Sequence, residues 1–200
     1  MIRVESQNID FEQDRKVYEA YLLYDTIEES EAIYEEFQEF RLDEYDRVAI
    51  SRKRNKVREI KRVILHCTAT KEGAHYDVNT IRSWHLQRNF SDIGYHYVIY
   101  LDGSINLGRP VFKQGAHVKS ENKDSIGIAY VGGLDLDGKP KDTMTAMQEI
   151  GFLQLFNSLN TTFGKLSLHG HHEFSNKACP SFIVKEKYEF LIESEDSQNN

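Results

Sequence analysis

Histidine and cysteine are the residue types here that could carry chemistry, and their placement is uneven. The segment HGHHEFSNKACPSF puts His169, His171 and His172 ahead of Cys179, which follows His171 by eight residues. That gap lets the chain leave a strand, loop over and return a thiolate beside an imidazole. Two imidazoles and one thiolate make an open zinc set with one coordination position free. Copper fits less well, because no methionine lies near Cys179 to act as axial ligand. Spacing alone does not choose among the three histidines. A thiol hydrolase built on Cys179 and a histidine is the competing chemistry. Neither HExxH nor paired CxxC patterns occur. His66 ends the apolar run RVILHC and, in a strand, points away from Cys67. By itself it reads as a satisfied core histidine. Cys67 and Cys179 are too few for a disulfide framework.

The elements that would position these groups are legible from about residue 62 onward. RVILHC reads as a buried strand. Asp77 caps a helix over 78–89, with Ile81, Trp84 and His85 facing inward. YHYVIYLDGSINLG reads as a hairpin turning at Asp102–Gly103. SIGIAYVGG is a strand ending at paired glycines, and LDLDGKP is a loop. Thr143 or Thr145 caps a long helix to about 161, with Ala146, Ile150, Leu153, Phe156 and Leu159 along one face. KLSLHG is a strand and SFIVKEKYEFLI a last helix. Alternation of strands and helices predicts an α/β domain over 61–193: a single mixed central β-sheet flanked by helices. The tail 194–200 is expected to fray.

Residues 1–60 differ in character. Met1–Asp46 holds 15 acidic and 4 basic residues, a net of −11, and Arg47–Arg62 holds 8 basic and 1 acidic, a net of +7. Val17, Tyr21 and Tyr24 share a helical face, as do Ile33, Phe37 and Phe40, so helices are expected over about 13–27 and 29–45. This charged extension reads as an appendage for self-association or for binding a partner. The basic run reads as a solvated face. A chain with net charge −7 and pI near 5.6 argues against a nucleic-acid binder. The N-terminus lacks an apolar core of signal-peptide length, and no segment is long enough to span a bilayer. Synthesis in a cytoplasm is expected, with delivery by another agent.

Five ordered segments carry a family resemblance: ILHCTAT, RSWHLQRNFSDIGYHYVI, DGSINLGRP, GAHVKSENKDSIGIAYVGG and HHEFSNKACPSF. From about 60 to 192 the chain resembles the type 2 N-acetylmuramoyl-L-alanine amidases, which include the T7-type phage lysozymes and are related to peptidoglycan recognition proteins. The resemblance implies hydrolysis of the amide between the lactyl group of N-acetylmuramic acid and L-alanine. It implies Zn2+ bound by His66, His171 and Cys179, catalytic roles for Tyr95 and Lys177, and a place in the substrate groove for His117. It also implies action on the cell wall after release, or on imported muropeptides. Residues 1–60 have no counterpart in the minimal enzymes. No separate wall-binding domain is recognisable, which favours a phage or prophage enzyme acting on a thin wall. Recognition-type relatives that cannot hydrolyse usually lack the metal-binding cysteine, and Cys179 is present.

Overall fold

A computed structural model describes residues 58–193. The expected helices over 13–27 and 29–45, and the tail, lie outside the described residues.

Strand β1 (Arg62–Cys67) is the axis of the domain. Its residues from Val63 to Cys67 are all buried, as expected for a strand covered on both faces. It pairs in parallel with β5 (Ser125–Tyr130) on one side and β7 (Ser167–Gly170) on the other. Beyond β5 lies β3 (Tyr97–Ile99), also parallel, and then β4 (Ile105–Leu107), antiparallel to β3. The five-stranded sheet therefore runs β4-β3-β5-β1-β7 and is mixed. A second, two-stranded parallel sheet joins β2 (Thr70–Lys71) to β6 (Gly133–Leu134), so the paired glycines that were expected to end one strand lead into another. The hairpin between β3 and β4 turns where Asp102–Gly103 predicted. Gly103 takes φ 82°, and a Cβ there would run into the Met147 carbonyl.

Helix α1 (Val78–Gln87) starts at Asp77, whose carboxylate accepts the Thr80 N–H at 2.7 Å. Ile81 and His85 are buried, and Trp84 is half-buried. Helix α2 (Ala146–Phe163) starts at Thr145 with a capping box closed by Gln148. Its buried face differs from the expected stripe. Phe152, Leu155, Phe156 and Leu159 are buried, whereas Ala146 is exposed and Ile150 and Leu153 are half-buried. The reason is Gln148. It is fully buried, and its amide donates to Ile99 O (3.1 Å) and Val131 O (2.9 Å), so a polar residue sets the helix rotation. The last helix is two short ones, α3 (Val184–Lys187) and α4 (Glu189–Glu193). Between them Tyr188 leaves helical geometry (φ −119°, ψ 32°) and turns its ring into the core against Phe152.

Strand parity divides the interior. Val63, Leu65 and Cys67 of β1 join Ile126, Ile128 and Tyr130 of β5 under α2. Ile64 and His66 therefore face the other way, toward the side where Val78 and Ile81 of α1 pack on Val98 and Val131. Among the described residues no helix is long and apolar enough to cross a membrane.

Candidate metal centre

Three separate pieces of chain bring His66, His171 and Cys179 together. His66 sits one residue before the end of β1. His171 opens a 3-10 turn (His171–Glu173) directly after β7, the strand beside β1. Cys179 returns from the following loop, which is pinned where His172 N–H donates to Cys179 O at 2.8 Å. His66 Nδ1 lies 3.1 Å from His171 Nδ1 and 3.7 Å from Cys179 Sγ, and all three donor atoms fall within 4.8 Å of one another. Tetrahedral zinc with ordinary bond lengths needs edges of about 3.3 Å between nitrogens and about 3.6 Å between nitrogen and sulfur. The donor set fits such an ion. It is the only such group of three among the described residues.

Electrostatics favours the same use. His66 is fully buried, and burial, followed by His117, His171 and Lys177, holds its pKa well below the usual imidazole value. Burial, then Lys177 and His172, lowers His171 to about 4. Both rings are thus neutral at pH 7 and keep the lone pairs that a metal requires. Cys179 differs: its hydrogen bond with the Cys67 thiol, and burial, push its thiol up. A bound cation would reverse that, since a coordinating thiol is deprotonated outright. The Cys67 backbone N–H, 3.3 Å from Cys179 Sγ, is placed to support the thiolate. Both cysteines are free.

The other expected site residues surround this group. Tyr95 precedes β3, and its ring centroid lies 5.2 Å from that of His66. Burial, then Cys179 and Cys67, raises its phenol well above the usual value, so it is a proton donor at neutral pH. Arg109 fixes this stretch by donating to Ile93 O and Asp92 O, while its own N–H donates to Tyr95 O at 2.8 Å. Lys177 is exposed, yet its charge acts on His66, His171 and Cys179. His117 is half-buried, with Nδ1 3.0 Å from His66 Nε2.

Of the remaining histidines, His172 leaves its buried Nδ1 without a hydrogen-bond partner among the described residues, and the other four make contacts of their own. His169 pairs with Glu173 (2.8 Å) and Ser167 (3.0 Å) on the outer edge of the sheet. His85 accepts the Gly94 N–H, and His96 accepts the Gly127 N–H. His75 lies against Tyr100. The side-chain oxygen of Asn122 accepts the N–H groups of His117 and Val118. Sequence reasoning missed Arg58. It belongs to the basic run, yet its guanidinium is half-buried against main-chain carbonyls, which have no sequence signature.

The chain is similar to several known proteins. The family model described as N-acetylmuramoyl-L-alanine amidase matches residues 56–182. The endolysin of Escherichia phage T7 is 38% identical over 127 residues, covering 64% of this chain and 84% of that protein. The endolysin of Enterobacteria phage K11 is 37% identical over 130 residues, covering 65% of this chain and 86% of that protein. Among solved structures, the N-acetylmuramoyl-L-alanine amidase LysC from Clostridium intestinale URNW superposes with a TM-score of 0.59 at 25% identity, covering 68% of this chain and 86% of that one. Matching segments over most of the described chain, on a shared fold, make this protein a member of the N-acetylmuramoyl-L-alanine amidase family.

Proposed function

We propose that the chain uses a zinc ion held by His66, His171 and Cys179 to hydrolyse the amide between the lactyl group of N-acetylmuramic acid and L-alanine in peptidoglycan. The observation that carries this reading is the spacing of the three donor atoms, 3.1 Å and 3.7 Å from His66 Nδ1, supplied by three separate stretches of chain. When bound, zinc supplies a Lewis acid for the scissile carbonyl and lowers the pKa of water at the site.

The chain's own residues do the rest. Burial keeps the two imidazoles neutral, so they act as ligands and not as bases. Lys177 is exposed and its charge acts on His66, His171 and Cys179, so it serves to stabilise negative charge developing on the carbonyl oxygen. Tyr95 keeps its phenolic proton at neutral pH and hydrogen-bonds the attacking oxygen or relays a proton. Action at the cell wall follows from the substrate, with the protein reaching it after release from the cell or meeting imported muropeptides.

Removing the metal tests the reading. Dialysis against a chelator is expected to abolish amide hydrolysis, and stoichiometric zinc to restore it. Undiminished activity after verified metal removal would favour a thiol mechanism at Cys179 instead.

A further inference from the structure

The metal ligand His66 has a second nitrogen, and what holds that nitrogen is specific to the loop between β4 and β5. His66 Nε2 lies 3.0 Å from His117 Nδ1. His117 Nε2 in turn lies 3.4 Å from Ser125 Oγ, which donates to Glu121 O at 2.6 Å. Proton directions along this chain are fixed from one end. A ligand Nδ1 needs its lone pair, so the His66 proton sits on Nε2 and donates to His117 Nδ1. The His117 proton then sits on Nε2 and points to Ser125 Oγ, and the serine proton goes to a main-chain carbonyl.

The His117 ring has little freedom. A Cβ on Gly115 or on Gly127 would overlap it, so the two glycines form its walls. Its backbone N–H is held by Asn122 Oδ1 at 2.9 Å. The loop itself is gathered around Arg58. Arg58 Nε donates to Val111 O (2.9 Å), Nη1 to Asn122 O (3.2 Å) and Lys123 O (3.1 Å), and Nη2 to Ser125 O (2.8 Å). Nη2 also lies 2.9 Å from Nε2 of His96, whose ring meets His117 edge-on. One guanidinium thus ties the start of the loop to its end. A lysine could keep the charge but not the rigid fork that reaches these carbonyls together.

We infer that His117 and Arg58 are positioning residues for the metal centre: His117 fixes the proton and the ring plane of His66, and Arg58 holds the loop that presents His117. This differs from the groove-lining role that family resemblance implies for His117. It rests on the reading that His66, His171 and Cys179 bind zinc.

The test is zinc affinity of the full chain, measured by competition with a chromophoric chelator, with a thermal melt of each metal-free variant as a folding control. His117→Phe removes the acceptor. His117→Gln keeps polarity but carries its oxygen to the place of Nε2, whereas the shorter amide of His117→Asn leaves an oxygen at the place of Nδ1. His117→Phe and His117→Gln are expected to weaken zinc binding by about 10- to 100-fold, and His117→Asn to remain within about threefold of wild type. Should His117→Phe fail to fold, the Gln and Asn pair decides alone. Arg58→Lys is expected to weaken binding in the same direction. Wild-type affinity in the folded Phe and Gln variants would overturn the role of His117, and wild-type affinity in Arg58→Lys that of Arg58. A wild-type chain that binds no zinc would instead overturn the underlying metal reading.

Discussion

His66 is asked to do two things at once, and its two nitrogens divide them: Nδ1 faces His171 and Cys179, and Nε2 faces His117. Such a division needs a buried, neutral ring, which the run RVIL before it provides. Parity made part of this legible in the sequence, because His66 and Cys67 had to face opposite sides of β1. The choice among His169, His171 and His172 was not legible from spacing. It is made by the 3-10 turn after β7, which turns His171 inward while His169 stays at the sheet edge with Glu173. At this scale the proposed roles of Tyr95 and Lys177 separate from metal binding. Tyr95→Phe should lower kcat by about 10²- to 10³-fold, and Lys177→Ala by a similar factor, with zinc content unchanged. Loss of zinc along with activity in either variant would show that the residue supports the centre and not the reaction.

The elements explain how residues far apart in sequence meet. Strand β1 lies between β5 and β7, so the loops that follow these neighbours open beside the end of β1. The cap at Asp77, a threonine cap at 143 or 145, the turn at Asp102–Gly103 and the strand-helix alternation could be read from sequence, because each depends on local chemistry; the structure selects Thr145. The rotation of α2 could not. An apolar stripe predicts which side is greasy, but Gln148 is buried by carbonyls from the ends of β3 and β5, and no periodicity records that. The break at Tyr188, whose ring packs on Phe152, was hidden likewise, since SFIVKEKYEFLI carries no Gly or Pro to mark it. Gln148→Leu would leave the carbonyls of Ile99 and Val131 buried without that donor and would open the capping box. It should cost about 2–4 kcal/mol in denaturant unfolding, more than a surface substitution on α2. A cost within about 0.5 kcal/mol would contradict the place given to Gln148 in holding α2 to the sheet.

Over the whole molecule the buried histidines make stability depend on pH. Burial, then Arg88 and Arg109, lowers His85 to about 4, and burial, then Arg58, lowers His96 to about 3. Both have folded values below the unfolded value near 6.5. Between those limits the unfolded chain binds more protons, so stability rises with pH and is lost as pH falls. The contribution is complete above about 6.5 and fades toward 4 and below. The metal-free protein should therefore melt several degrees lower at pH 5 than at pH 7. An unchanged melting temperature across that interval would mean that these rings are not held neutral by the fold.

The bond that is cut distinguishes an amidase from any other wall hydrolase. Mass spectrometry of purified muropeptides after digestion tests it most directly. Free N-acetylmuramoyl glycan is expected together with an intact stem peptide that begins at L-alanine, formed only when zinc is present. Cleavage between amino acids within the stem peptide, or between sugars, would contradict it.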